Sequence, residues 1–548
     1  MPTVIVDGKE VEIAAGEKLN GIEAAARAGG DVPHYCWHPG LSVVASCRMC
    51  LVEVGKKDPA TGKIAMQPKV VPACQTPATP DTVFVTNSDK VKAARAMVEE
   101  DLLIRHPIDC PICDKAGECT LQDYHFEHGR NERRADLKPF TSRRRDLGDT
   151  ITLFVDRCVM CSRCVRFTRE ITGTRELMIA NRGAHEEIDV FRNDAGEIQF
   201  PLDNKLSGCV ADLCPVGALG DKDFLYEQRV WFMKSHDHVC AGCSTGCSIK
   251  VDENQDHIYR LKPRTNPHVN QWWMCDEGRY GWKHVHAAER VTEPKKRVGG
   301  TPVNLEWPEV VVGLDKDLRA AGRIAAVLSP QLTVEEAFLL ATYVRSLDPN
   351  AVLVLGPVPV VGADESFPNG FTIHAEKVPN RRGVEAVIAS FGAVTTWNDF
   401  LAKNETFGAI WLTGGYPESP YGAEAAANLS GVKTLVVQDC FASPVWEQAT
   451  WQLPGATFAE REGSFVNYKS HLQSFRWAVR PPVGVTTEGQ LYQQLLKRPG
   501  LYKAAKVLED VCREIAFFAA ATGGVSDVGV DLNSNKLAEE TKPASAAV

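Results

Sequence analysis

No stretch of the 548-residue chain reaches the roughly 18 uninterrupted apolar residues that a membrane-spanning helix requires. Any contact with a membrane is therefore expected to run through partners. The opening residues, MPTVIVDGKE, show neither a charged segment leading into an apolar core nor an Arg/Ser-rich leader, so the chain is expected to stay unexported. Positive charge is also in short supply. The 61 Lys and Arg against 70 Asp and Glu leave a formal charge of −9, which gives no electrostatic basis for nucleic-acid binding. Neither a GxGxxG fingerprint nor a P-loop occurs, and the common sequence markers of a dinucleotide or nucleotide site are thereby missing.

What the chain does have is cysteine, unevenly placed. Of its 18 cysteines, 16 lie in the first 275 residues, and most come in CxxC pairs. Disulfide frameworks belong to exported and usually short chains. In a long unexported chain, paired cysteines at tight spacing point to metal.

The first set is Cys36, Cys47 and Cys50 in CWHPGLSVVASCRMC, with Cys74 in VPACQTP. It follows TVIV and VEI strands around Asp7-Gly8 and a short helix from Asn20 to Ala28 closed by Gly29-Gly30. Strand, turn, strand and helix is the opening of a β-grasp ferredoxin, and four thiolates in such a loop suit a 2Fe–2S cluster. Cys₄ zinc is the alternative, although zinc sites commonly use two short pairs rather than a gap of ten residues.

The second set mixes chemistries. A helix is predicted after a cap at Asn87 or Ser88, with Val91, Ala94, Val98 and Leu102 on one face, and Pro107 ends it. His106 is thereby delivered at a helix edge, ahead of Cys110, Cys113 and Cys119 in HPIDCPICDKAGEC. Three thiolates and one imidazole suit a 4Fe–4S cluster whose fourth corner is nitrogen-ligated. In Rieske centres the same exchange of thiolate for imidazole raises the potential.

The third set has the highest specificity: Cys158, Cys161 and Cys164 in CVMCSRC, with Cys214 in DLCPVGAL. This is the bacterial ferredoxin run, in which proline follows the last cysteine. Cys209 is a rival for the fourth place but lacks that proline. The fourth set is Cys240, Cys243 and Cys247 in CAGCSTGC, with Cys275 in WWMCDEGRYGW. It again suits a 4Fe–4S cluster, with zinc as the alternative. Trp272 and Trp273 either shield it or serve as ordinary core. Cys440 and Cys512 read as buried, inert thiols. The basic run Arg143 to Arg145, inside a polar connector over residues 128–148, reads as a solvated face or as a docking point for an acidic partner.

The predicted organisation is α+β and multi-domain. A β-grasp ferredoxin domain occupies residues 1–85, a His/Cys₃ 4Fe–4S domain 86–130, a ferredoxin-like 4Fe–4S domain 131–232, and a further 4Fe–4S domain 233–290. Over 291–519, IAAVLS, AVLVLG, GAIWLT and KTLVVQDC alternate with helical patterns, which predicts a doubly wound parallel sheet. The GGYPESP loop reads as a turn, with a small-molecule site as the alternative, and residues 520–548 read as a disordered tail.

The order of these motifs over residues 1 to about 285 resembles the large iron–sulfur subunit of bacterial NADH:quinone oxidoreductase, respiratory complex I. That resemblance implies an electron-transfer role, with no catalytic residues and no substrate site on this chain. It implies one 2Fe–2S and three 4Fe–4S clusters on the sets given above. It implies a peripheral-arm assembly with a flavin/NADH-binding subunit and downstream iron–sulfur subunits, on the cytoplasmic side of the bacterial inner membrane. The C-terminal region resembles a shortened molybdopterin-oxidoreductase domain, and with only 273 residues after Cys275 no bound molybdopterin is expected. Competing readings are the equivalent subunit of an NAD-linked hydrogenase or formate dehydrogenase, and a zinc-stapled scaffold without redox chemistry.

Overall fold

A computed structural model describes residues 2–533, apart from Ala15, Arg133, Ala184 and Asn404. Two compact units emerge. One runs to Met233 and takes in Phe367–Gly370; the other holds Lys234–Ser366 and the chain from Phe371 onward.

The first unit opens with the expected hairpin. Thr3–Val6 pairs antiparallel with Lys9–Glu12, and Asp7 and Gly8 take φ values of 48° and 81°, the left-handed pair that a two-residue hairpin needs. Asn20 caps the helix Gly21–Arg27 by accepting from the Ile22 and Glu23 N–H groups, while Glu23 reaches back to the Asn20 N–H. The first strand then pairs parallel with Thr82–Val85, which pairs antiparallel with Leu51–Lys57. The two ends of the segment thus meet in one sheet, as a β-grasp requires. Val4, Val6, Ile22, Val54 and Phe84 form its core, and Cys50 and Cys74 pack within it.

The next helix, Asp89–Leu103, is capped by the Ser88 hydroxyl and stops ahead of Pro107. Its buried stripe differs from the apolar one predicted: Val91, Arg95, Ala96 and Glu99 point inward, whereas Ala94, Val98 and Leu102 are only half-buried. Polar partners decide the face. Tyr35 meets Glu99, and the Leu51 carbonyl accepts from Arg95 at 3.3 Å.

The connector over 128–148 is more ordered than its polarity suggested. Arg144–Asp146 forms a strand against Ile151–Phe154, which continues to Leu219–Asp221. Two arginines of the basic run are ion-paired within the chain, and Arg144 between them is exposed. Arg143 binds Asp156 at 2.8 Å and Glu187 at 2.9 Å, and Arg145 binds Glu187 and Asp189, each at 2.9 Å.

The second unit begins with a meander of Lys234–Val239, Ser248–Asn254 and His257–Pro263. A doubly wound domain follows, as predicted. Its six parallel strands, taken in chain order, are Ile324–Leu328, Val352–Leu355, Thr395–Thr396, Ala409–Thr413, Thr434–Asp439 and Trp451–Pro454. In space they run 3-2-1-4-5-6, the order of the dinucleotide-binding folds. Alternate residues serve opposite cores: Ala326, Leu328 and Trp411 face one, and Ala325, Val327 and Leu412 the other.

The chain from residue 520 departs from the predicted disorder. Ala516–Ala521 is helical, Val530–Asp531 adds a strand beside His471–Phe475, and Leu532 is 3% exposed. Apolar side chains spaced among small residues were enough to anchor this stretch. The rest of the predicted tail, 534–548, lies outside the described residues.

Candidate metal centres

The first set converges in the β-grasp unit. The Cys36 thiol contacts those of Cys47 and Cys74, and Cys50 contacts Cys74. Hydrogen bonds from Cys47 and Cys74 pull the Cys36 thiol well down, while Cys47 and Cys74, on the giving side, are driven up. The Cys36 N–H donates to Cys47 Sγ at 3.4 Å. Thiols paired 36 with 47 and 50 with 74 can offer two ligands to each of two irons. The chain turns with positive φ at Ala45 (51°), inside the ten-residue first gap, and at Arg48 (61°), between Cys47 and Cys50.

The second set sits on a loop between helices. Cys119 stands directly before the helix Thr120–His128, and burial raises its thiol to about 11 against the lowering influence of the Gln122 and Leu121 backbone. Burial also raises Cys113, and Cys110 alone of the site cysteines is exposed. Burial and then the Arg157 guanidinium lower His106 to about 4, so at neutral pH its imidazole is neutral, the form that ligates metal.

The third set lines one small cavity: Cys158, Cys161, Cys164 and Cys214 share it with Leu153, Val159 and Ile188. Cys209 is not part of that lining. Burial lifts Cys158, Cys161 and Cys164, Cys161 to about 11. The Met160 N–H reaches Cys158 Sγ at 3.4 Å, and the turn that allows it puts Met160 and Ser162 at φ 48° and 58°.

The fourth set lies in the second unit. All four cysteines are buried. Cys275 caps the turn Asp276–Tyr280, its sulfur accepting from the Gly278 N–H at 3.3 Å, and Gly242 N–H reaches Cys240 Sγ at 3.5 Å. Burial first, then the neighbouring Cys243, raises Cys240 to about 12. A side chain at Gly278 would crowd the site, since a Cβ would stand 3.0 Å from Cys240 Sγ and 3.5 Å from Cys275 Sγ. Trp273 is core at 1% exposed, and Trp272 is half-buried beside it.

Where burial raises the thiols, as at Cys113, Cys119, Cys158, Cys161, Cys164, Cys240 and Cys275, ionisation needs a cation, and backbone N–H groups aimed at sulfur are the usual support for cluster thiolates. The donor sets therefore fit iron–sulfur groups. Among the described residues, no three or more His, Cys, Asp or Glu side chains close on a single metal-ion position.

Three residues escaped the sequence reading. Arg166 donates to the Cys36 carbonyl, to the Ser42 carbonyl at 2.5 Å and to the Cys161 carbonyl at 3.2 Å, joining the first set to the third. Arg163 bridges the Trp37 and Leu213 carbonyls at 2.6 and 3.2 Å. Arg157 holds Asp109 at 2.9 Å and lies over the Phe154 ring, tying the second set to the third. Their signal was present: an arginine flanking a cluster cysteine inside RCVMCSRCVRF has to be buried with partners.

Four family models match separate stretches. Residues 2–89 match a 2Fe-2S iron-sulfur cluster binding domain, 95–134 the NADH-ubiquinone oxidoreductase-G iron-sulfur binding region, 148–220 the ferredoxin-like domain of NADH-quinone oxidoreductase subunit 3, and 233–287 a molybdopterin oxidoreductase Fe4S4 domain. Several curated relatives bear the name of the G subunit of NADH-quinone oxidoreductase. One of these, from Rickettsia felis, is 33% identical over 63% of this chain and 49% of its own length. Another, from Yersinia pestis, is 33% identical over 62% of this chain and 36% of its own. The NADH-ubiquinone oxidoreductase 75 kDa subunit of Reclinomonas americana is 32% identical over 66% and 50%. The chain thus spans about half, or less, of the curated relatives it matches. A solved NAD+-reducing [NiFe]-hydrogenase structure is 28% identical, covering 42% of this chain and 91% of that one with a TM-score of 0.34. No helix among the described residues is long and apolar enough to cross a membrane.

Proposed function

We propose that this chain is an electron-transfer subunit of an NADH:quinone oxidoreductase. It holds a 2Fe–2S cluster on Cys36, Cys47, Cys50 and Cys74, and three 4Fe–4S clusters on the His106/Cys110/Cys113/Cys119, Cys158/Cys161/Cys164/Cys214 and Cys240/Cys243/Cys247/Cys275 sets. It binds no molybdopterin. When bound, such clusters take up and release single electrons at potentials set by their surroundings. The flavin and NADH belong to a partner subunit, further iron–sulfur subunits receive the electrons, and the assembly stands on the cytoplasmic side of a bacterial inner membrane.

The observation that carries this reading is the stitching of the first three sets. Arg166 holds the backbone of Cys36 and Cys161 with one guanidinium. A Cβ added to Gly217, three residues after Cys214, would stand 2.1 Å from Cys113 Sγ. Fixed, adjacent centres are what a chain of electron carriers needs. The residues themselves move no proton and bind no substrate; they orient ligands, exclude water and aim N–H dipoles at sulfur. The Cys158, Cys161, Cys164 and Cys214 thiols lie around one cavity, which supports a cluster over a single zinc at that set.

Metal analysis of the chain purified without oxygen tests the reading. The expected load is about 14 irons per chain, two for the 2Fe–2S and four for each 4Fe–4S cluster, with visible absorption that bleaches on adding dithionite. Colourless protein rich in zinc overturns it. His106→Cys tests the ligand assignment separately: the cubane persists with a shifted potential or spin signal, and an unchanged spectrum means that the imidazole does not touch iron.

A further inference from the structure

In a doubly wound sheet, ligands enter the crevice beyond the carboxyl ends of the strands at which the order reverses. Here those strands are Ile324–Leu328 and Ala409–Thr413. Most of that crevice is filled from within. The Arg461 guanidinium, with its side chain 1% exposed, lies against Gly415, where a Cβ would stand 3.1 Å from it, and pairs with Glu336 at 3.1 Å and Glu488 at 3.5 Å. What remains is a pocket of about 40 Å³, lined by Cys240, Gly278, Trp282, His284, Gln331 and Gly415 among others. A cofactor pocket typically runs to roughly 300–1,000 Å³. Water needs roughly 10–15 Å³ per molecule, so about three fit.

The lining is chemically specific. Gln331 and Trp282, 4% and 8% exposed, both line the pocket, and each carries a buried donor, Nε2 and Nε1, with no partner among the described residues. A buried donor left unpaired carries its full desolvation penalty, and two of them on one pocket call for an acceptor. His284 supplies the complement. Its Nδ1 lies 2.8 Å from the Gly281 carbonyl, which can only accept, so Nδ1 carries the hydrogen and Nε2 is left as an acceptor. Cys240 Sγ is a second, softer acceptor. The carboxylate of Glu277 on the same lining disfavours an anion. Two donors, an imidazole nitrogen and a sulfur make the two to four polar partners that a bound water requires.

We propose that this pocket is a hydration site, in which two or three ordered waters held by Gln331 and Trp282 lie against the Cys240 sulfur. The proposal rests on the assignment of a cluster to the Cys240 set. It makes that centre the hydrated one. The cavity of the Cys158 set is smaller, about 10 Å³, and although Ser162 and Arg163 share its lining with Leu153, Val159, Ile188 and Val216, its volume only reaches the lower bound for a single water. Water donating to a cluster thiolate favours the more negatively charged, reduced state, so hydration raises the potential of the Cys240 centre relative to a dry pocket.

The test is electron–nuclear double resonance on the full, cluster-loaded chain, reduced in oxygen-17-enriched water, where backbone N–H groups contribute no signal. An oxygen-17 coupling is expected at the Cys240 centre and none at the Cys158 centre. Gln331→Leu and Trp282→Phe weaken or abolish that coupling and lower the midpoint potential of this centre alone. A Cys240-centre signal without oxygen-17 coupling overturns the hydration site, and the wild-type measurement decides this even if neither variant folds. Absence of any signal from the Cys240 centre instead overturns the cluster assignment, and the hydration site with it.

Discussion

The hydroxyl of Tyr35 donates to the carboxylate of Glu99, 64 residues further along the chain. Both residues are fully buried. Tyr35 precedes the ligand Cys36, its ring meets that of Tyr124 at 5.3 Å, and Tyr124 lies on the helix that Cys119 precedes. A single buried polar pair therefore stands between the first and second cysteine sets. The second Glu99 oxygen has no partner among the described residues, so the carboxyl is held mostly by its surroundings.

That environment gives Glu99 a pH signature. Burial raises it from 4.5 to about 7, against the opposing Tyr35 hydrogen bond. Between those two values the folded chain keeps a proton that the unfolded chain has released, so stability falls as pH rises through the window and is level above it. Glu99→Gln removes this slope. Chemical unfolding at pH 5 and pH 8 should show the variant gaining on the native chain at the higher pH, by at most about 3 kcal/mol. Parallel pH dependence of the two proteins would mean that the carboxyl is already ionised in the fold.

Arg166 serves two centres, so its loss should damage both. Arg166→Met takes the donor from the carbonyls of Cys36, Ser42 and Cys161, at about 1–3 kcal/mol for each carbonyl left unpaired. Iron is expected to fall together at the 2Fe–2S and Cys158 centres, with the Cys240 centre retained. Iron content with resolved EPR signals checks this. Loss confined to one centre would show that the bridge is not shared.

The cysteine spacing was enough to pick out the thiols that gather at Cys36, Cys47, Cys50 and Cys74 and around the cavity of Cys158, Cys161, Cys164 and Cys214, because residues on short loops are local in sequence. CxxC and CxxCxxC place sulfurs on one side of a turn regardless of what packs around them. The doubly wound sheet was equally legible, since buried parallel strands such as IAAVL and AIWLT are continuous apolar runs. What stayed hidden depended on partners distant in sequence. The inward face of Asp89–Leu103 was misread because Arg95 and Glu99 look solvent-bound until Leu51 and Tyr35 are brought to them. Arg143 and Arg145 looked free because Glu187 and Asp189 lie more than 40 residues away. The anchored stretch from Ala516 to Leu532 was misread as loose because its strand pairing needs His471–Phe475.

The rivalry between Cys209 and Cys214 can be settled by substitution. Cys214 lines the cavity of Cys158, Cys161 and Cys164, whereas Cys209 begins the helix Cys209–Leu213 and is buried at 1% exposed. Cys214→Ser should cost the chain about four irons, one 4Fe–4S cluster. Cys209→Ser should keep its full iron load and lose only modest stability through the buried hydroxyl. The reverse outcome would hand the ligand position to Cys209.

Gly217 offers the most stringent check on how closely the second and third centres are packed. Its backbone is unexceptional, so an alanine here meets no conformational objection, only a steric one. The added Cβ would stand 2.1 Å from Cys113 Sγ and 3.2 Å from the Lys115 side chain. A cysteine has a single rotatable bond with which to retreat, and a sulfur fixed to iron cannot use it. Relief must come from the 110–119 loop, which Arg157 pins through Asp109 and which the Thr120 N–H ties to the Pro215 carbonyl at 2.9 Å. Gly217→Ala should therefore shed the His106/Cys110/Cys113/Cys119 cluster, about four irons, with the 2Fe–2S signal unmoved. If the variant loads iron fully with an unchanged spectrum, Cys113 does not lie against Gly217 in the loaded protein, and the adjacency of the two centres fails with it.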